Sequence, residues 1–307
     1  MTSSYWRKRE EAHIKKQIMS DKEISKEIEH RLQLALDDIK KEIDANFSNY
    51  SANEGVSLSE THKRADKMDV KAFARKAKEY VKTKNFSSEA NYQLKIYNLT
   101  MRVSRLELLK AQIGLELVSM TDGLDKYLSS ILSDEALAEF ERQAGILGES
   151  ISNNYKGAAD GIVKGSFNSA TFSENIWRYQ AELKAELDKM LVRQFAQGRN
   201  PRVMARNLMD KFDVTRGQAE RLMRTESARI QTEIQKHSYK EYEIEEYEYI
   251  AEPTACRICK PLDGKLFKVK DMEPGSNAPA MHPNCRCSTT PYVDREELKN
   301  ELKERGL

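Results

Sequence analysis

Cys256-Arg257-Ile258-Cys259 and, further along, His282-Pro283-Asn284-Cys285-Arg286-Cys287 hold all 4 cysteines of the chain and one of its 5 histidines. Two cysteines separated by two residues can turn both sulfurs toward one point, as a tetrahedral thiolate site requires. The second cluster supplies the return half, at a spacing of the kind zinc ribbons use. Between them, Asp263-Gly264 is a hairpin-turn signal, and Leu266, Phe267 and Val269 suit a short strand. Pro274, Gly275 and Pro279 mark a loop that carries the chain back. The expectation is one structural zinc ion. Cys256, Cys259 and Cys285 are its assigned ligands, and Cys287 and His282 compete for the fourth place.

Other chemistries fit these residues less well. Two disulfides suit a secreted protein, but Met1-Thr2-Ser3-Ser4-Tyr5-Trp6 runs straight into Arg7, Lys8, Arg9, Glu10 and Glu11 with no apolar signal-peptide core. An intracellular chain is therefore expected, and reducing conditions favour metal over disulfide. A redox pair would need a βαβ context that is missing around the CxxC. A catalytic zinc needs an open position and a nearby base. The zinc deaminase signature fails here: Pro253 stands three residues before Cys256, and no His-x-Glu occurs.

Strand-forming sequence leads into the first cysteine pair. Glu241 to Ile250 alternates Tyr and Ile with Glu, interrupted at Glu245-Glu246, which reads as a strand with a bulge at the doubled Glu. Upstream the chain is helical. Ile14, Ile18, Ile24, Ile28, Leu32, Ala35, Ile39, Ile43 and Phe47 recur at three- and four-residue steps and predict a long helix over 5–47. A second helix is predicted over 60–83. A third opens at Ser87 or Ser88, with a break at Asp122-Gly123, and another stretch runs from Ser133 to Ala144. Gly145 to Ser173, rich in Gly, Ser and Asn, reads as a connector. From Glu174 helices return, with Pro201 at a first helical position and Thr215 preceding a fresh start. The expected fold is α+β, mostly α. It comprises an elongated helical region (1–145), a connector (146–173), a helical and small antiparallel-strand module with the zinc knuckle (174–293), and a charged tail (294–307).

Two basic groups invite a nucleic-acid reading. Lys63, Arg64, Lys67, Lys71, Arg75 and Lys78 line one side of the second predicted helix, and Arg199, Arg202 and Arg206 crowd the turn around Pro201. Such stripes can meet phosphates, and they can equally be solvated or paired surface. A formal net charge of +2 on 307 residues does not decide between these readings. With 33% charged residues and 39% hydrophobic ones, helices that protrude or pack on other subunits are expected. No run is long enough to span a bilayer, so no membrane association is expected.

Taken in order, these features resemble the tailed-phage minor head protein family, with its Mu F-type head morphogenesis domain. The matching pieces are Ala196-Gln197-Gly198 with Pro201 and Leu208, Arg224-Thr225-Glu226, Cys256-x-x-Cys259 with Leu262-Asp263-Gly264, and His282-Pro283-Asn284-Cys285-Arg286-Cys287. The similarity runs from Trp177 to Tyr292. It implies a non-enzymatic virion component, in the capsid interior or at the portal vertex, that is in the host cytoplasm during assembly. The implied partners are the portal protein, capsid or scaffold proteins and double-stranded DNA without sequence preference. The implied work is head morphogenesis and the handling or ejection of packaged DNA. The alternatives are a metal-dependent nuclease and a zinc-ribbon DNA-binding protein. Arg224-Thr225-Glu226 sits in a helical pattern and is expected to join that helix to the strand module, not to catalyse.

Overall fold

The computed structural model describes residues 3–51, 105–147, 155–167, 169–197 and 201–293. They form five helices: α1 (Ser3–Ser51), α2 (Arg105–Leu147), α3 (Tyr155–Val163), α4 (Phe172–Gln197) and α5 (Pro201–Glu241). Three short strands follow, β1 (Glu246–Ile250), β2 (Leu266–Lys268) and β3 (Ser288–Tyr292). The fold is mostly helical with one small antiparallel sheet near the C-terminal end of the described residues. The second predicted helix (60–83) lies outside them.

The apolar spacing of α1 does what its period dictates. Ile14, Ile24, Ile28, Leu32, Leu36, Ile39 and Ile43 are all buried, one stripe along a helix whose remaining faces are charged. α2 runs unbroken through Asp122-Gly123, where the sequence suggested a stop. The seam Leu124, Leu128, Leu132, Ala136, Phe140 and Ala144 continues beyond the glycine and is buried throughout, so packing outweighs the propensity cost of one glycine. α3 occupies part of the expected connector. Its Tyr155 stacks on Phe140 of α2 with ring centroids 4.9 Å apart, which gives a glycine-containing segment a reason to be helical.

α5 starts at Pro201, as the sequence indicated, but passes through Thr215 without restarting. Thr215 is buried and its Oγ1 donates to the Lys211 carbonyl at 3.2 Å, satisfying the hydroxyl inside the helix. The helix then takes Glu241, the first residue of the predicted strand. Glu243, at φ 55°, turns the chain, and β1 begins only at Glu246. No bulge forms, because β1 pairs residue for residue with β3, from Glu246 opposite Tyr292 to Ile250 opposite Ser288. β1 is the central strand, with β2 on its other side. Val269 falls just past β2, in a single 3-10 turn over Val269–Asp271.

Compactness groups the chain into two units that interleave along the sequence. One comprises Met1–Lys26, Tyr127–Ser173 and Ala219–Leu307; the other comprises Glu27–Lys126 and Glu174–Gln218. The described part of the second unit is wholly helical, with Ile28, Leu32, Leu115, Val118, Leu187 and Leu208 among its buried residues. The first unit holds the sheet. Its α5 meets β3 through a buried polar network in which Gln231 and Gln235 donate to Ser288 Oγ at 2.8 and 3.1 Å. Ser288 in turn donates to Glu10 at 2.7 Å, and Thr289 donates to Gln235 at 2.7 Å.

The same unit buries a charged cluster. Arg142 grips Glu139 with two hydrogen bonds of 2.7 Å and also donates to Glu10, which is 1% exposed. Removing one partner of a buried pair leaves an uncompensated charge. Arg142→Met should therefore cost about 3–5 kcal/mol of stability in urea unfolding. The double variant with Glu10→Met should recover part of that loss.

His13 lies beside this cluster, 3.8 Å from Glu139. Burial, with Arg142 and Lys16 nearby, pushes it from 6.5 down to about 4. The unfolded chain then takes up a proton that the folded chain refuses, so this histidine removes stability as pH falls from about 6.5 to about 4. Burial raises Glu10 and Glu135, which act in the opposite sense above 4.5. His13→Gln should flatten the acid limb of a plot of midpoint against pH without moving its neutral plateau.

Candidate metal centre

Each candidate ligand is held by local backbone geometry. After β1 the chain turns so that Cys259 caps a single 3-10 turn over Lys260–Leu262, with Lys260 N–H donating to the Cys256 carbonyl at 2.9 Å. Gly264, at φ 74°, then reverses the chain onto β1 and donates to the Tyr249 carbonyl at 2.9 Å. A side chain there would strain the left-handed backbone. Asp263 and Gly264 are the two central residues of this turn, closed by Lys265 N–H donating to the Leu262 carbonyl at 2.9 Å, and Asp263 Oδ1 accepts from Ala251 N–H at 2.9 Å. On the return side Asn284, at φ 66°, makes a second tight turn, in which Cys285 N–H donates to the His282 carbonyl at 3.1 Å.

These turns bring the five predicted side chains together. Two overlapping triads result, Cys256–Cys259–His282 and Cys259–Cys285–Cys287, each with all ligand atoms within 4.8 Å of one another. Cys259 belongs to both. His282 Nε2 lies 3.1 Å from Cys256 Sγ and 3.2 Å from Cys259 Sγ. Its Nδ1 donates to the Pro283 carbonyl at 2.8 Å, which fixes the ring and aims Nε2 at the sulfurs. Cys259 Sγ and Cys285 Sγ are 3.9 Å apart. A tetrahedral zinc with bonds of about 2.3 Å sets sulfurs roughly 3.8 Å apart. All four cysteines are free thiols; Cys259, Cys285 and Cys287 are buried and Cys256 is half-buried.

The electrostatics of the cluster point the same way. Hydrogen bonds from Cys259 and Cys287 hold Cys285 down at about 2, whereas Cys259 is pushed up by Cys285 and Cys287. Cys287 is drawn down by Cys259, but Cys285 and burial prevail and carry it up to about 12. Backbone N–H groups of Cys259 and Ile258 lower Cys256. Within the Cys259–Cys285–Cys287 triad, lowering Cys285 comes with raising the other two thiols. A divalent cation removes that conflict, and thiolate with imidazole is a donor set suited to zinc. Tyr249 packs against Cys259, Cys285 and Cys287, fully buried, with its hydroxyl lacking a conventional hydrogen-bond partner. Burial pushes that phenol up, so it faces the sulfurs as a neutral donor.

Several residues that build the site carried no metal-ligand signal of their own. Thr225 Oγ1 accepts from Asn284 N–H at 3.1 Å and donates to the Arg221 carbonyl at 2.7 Å. Arg286, between two cysteines, donates to the Arg224 carbonyl at 3.0 Å and to Asp21 of α1 at 2.7 Å. Glu226 is buried and pairs with Arg229 at 2.8 Å. Arg224 and Thr225 thus face the returning cysteine loop from α5, whereas Glu226 is engaged by Arg229, which also donates to the Ile162 carbonyl at 3.1 Å. The triplet's place beside that loop in the sequence motif set was the available clue; Asp21, far away in sequence, gave none.

The basic residues fare differently. Lys63, Arg64, Lys67, Lys71, Arg75, Lys78 and Arg199 lie outside the described residues. Arg202 falls in the first turn of α5, its side chain outside the description, and Arg206 is exposed. No helix among the described residues is long and apolar enough to cross a membrane.

The geometry coincides with a family match. The profile of the family described as Phage Mu protein F like protein matches residues 185–290, a segment that takes in the second half of α4, all of α5, β1, β2, the first residues of β3 and every candidate ligand. No curated protein and no solved structure matches the chain significantly. The segment is similar to that phage family; about two thirds of the chain lies outside it.

Thr225→Val removes the acceptor for Asn284 N–H and should cost about 0.5–1.5 kcal/mol. The same variant should raise the rate at which a thiol reagent modifies Cys285, read by peptide mass spectrometry.

Proposed function

We propose that this protein is a phage minor head protein, a virion component acting in head morphogenesis at the portal vertex and in the handling or ejection of packaged DNA, without enzymatic turnover. The observation that carries this reading is the coincidence of the Phage Mu protein F like match with one continuous module, in which the matched cysteines, His282 and the Arg224-Thr225-Glu226 helix meet. In this reading one structural zinc ion ties the module together. Cys256, Cys259 and Cys285 hold it, and His282 or Cys287 completes the set. A zinc-bound module of this size gives a rigid docking platform at small cost in chain length. The partners are portal protein, capsid or scaffold proteins, and double-stranded DNA bound through phosphates. Arg206 is one exposed candidate for that contact; the stripe from Lys63 to Lys78 and the pair Arg199 and Arg202 are further candidates.

A metal-dependent nuclease is the second reading. It would use His282 beside an open metal position. Against it, both triads are built around thiols, and His282 is the sole imidazole in them. A zinc-ribbon regulator is the third, and it differs in requiring a preferred sequence.

Purified protein should cosediment with portal rings and be found in mature heads, and its binding to DNA should weaken steeply with salt and ignore sequence. Absence from mature heads would contradict the assignment. Plasmid cutting that is lost in His282→Ala would replace it with the nuclease. Side by side, His282→Ala and Cys287→Ala identify the fourth ligand by which of them lowers zinc retention.

A further inference from the structure

The opening of α1 touches both halves of the cysteine segment. Arg7 Nη2 lies 2.8 Å from both carboxylate oxygens of Asp263, four positions after Cys259. Its Nη1 donates to Glu248 on β1 at 2.7 Å. About four helical turns further along α1, Asp21 receives both Nε and Nη2 of Arg286, the residue between Cys285 and Cys287. Arg286 is buried and Asp21 half-buried, so this two-pronged ion pair is largely shielded from solvent. Ser25 accepts from Arg224, whose carbonyl is already held by Arg286. Between these ends, Glu10 accepts from Ser288 at 2.7 Å and Gln17 donates to Gln231 at 2.8 Å. All of these residues belong to one compact unit, which includes Met1–Lys26 with the sheet and the cysteines. None of the α1 residues lies in the segment that matches the phage family, residues 185–290.

We infer that residues 7–25 of α1 are a clasp that positions the metal ligands, so that metal retention and docking of this helix are coupled. Arg7 fixes the CxxC turn through Asp263, and Asp21 fixes the return turn through Arg286. A tetrahedral site needs both turns at the right separation. A carboxylate and a guanidinium paired two-pronged hold their backbones with more directional precision than a single contact does. Coupling of this kind is reciprocal: what the clasp adds to metal binding, metal adds to clasp docking. A partner that captured the N-terminal residues would thereby loosen the metal module. The inference rests on the zinc reading of the site.

The test uses the full chain loaded with zinc and follows zinc transfer to a chromophoric chelator. Asp21→Asn and Arg7→Gln remove one anchor each, and Lys164→Gln, which breaks an exposed pair with Asp160, is the control. Outer-sphere partners of metal ligands change affinity by about 10–100-fold. The clasp predicts release at least about tenfold faster in Asp21→Asn and unchanged release in the control. Release at the wild-type rate in both clasp variants, with helical circular dichroism intact, overturns it. Should either variant unfold, hydrogen exchange on the wild-type chain decides. Stripping zinc must accelerate exchange in residues 3–26 while leaving 27–43 unchanged, and equal protection with and without metal overturns the clasp. A wild-type chain that holds no zinc at all defeats the metal reading itself, an outcome separable from a zinc-loaded chain whose variants release normally.

Discussion

Close-packed thiols that cannot all carry charge at once are the constraint on which the C-terminal architecture depends. Cys259, Cys285 and Cys287 are buried around Tyr249, with little exposed polar surface to dilute their repulsion. A buried anion without a partner is costly, and a cluster of three is more so. A bound cation would resolve the conflict and turn it into attraction. The turns at Gly264 and Asn284, the 3-10 turn after Cys259, and the hydrogen bond from His282 to Pro283 all make sense as devices that aim ligands at one place. The sheet pairs over three residues on its β2 side and five on its β3 side, and a metal bound between the adjoining turns would reinforce it.

The helices work from the opposite principle. Their stability lies in apolar stripes, and the polar network between α5 and β3 gives the junction its specificity. Gln231, Gln235, Ser288, Thr289 and Glu10 saturate one another in a buried setting, where an unmatched group would be penalised. The sheet therefore has one register against the helix, and the cysteine turns inherit that register. The charged cluster of Glu10, Glu139 and Arg142 extends the same logic: satisfied, it fixes the position of the α1 opening; broken, it exposes the fold to a buried charge.

Much of this was legible in the sequence. The period of Ile14 to Ile43 announced α1, Pro201 announced the start of α5, and the cysteine spacing announced that the two clusters converge. The misreadings share a cause. Gly123 and Thr215 are poor helix residues in isolation, but each sits in a helix whose buried seam continues on both sides. The alternation of Tyr and Glu before Ile250 spoke for strand, yet only its latter half has neighbours to pair with. What no local pattern could reveal is the pairing of Asp21 with Arg286 and of Arg7 with Asp263. Charged residues abound in the chain, and nothing in their spacing singles out four that meet across more than two hundred positions.

The measurement that bears most directly on the central claim is zinc K-edge absorption fine structure on the purified full-length chain. The account predicts one zinc per chain with a shell of three sulfurs at about 2.3 Å and one nitrogen at about 2.0–2.1 Å, or four sulfurs if Cys287 takes the last place. A chain free of metal with its thiols still buried and reduced, or a zinc surrounded by oxygen alone, would contradict it.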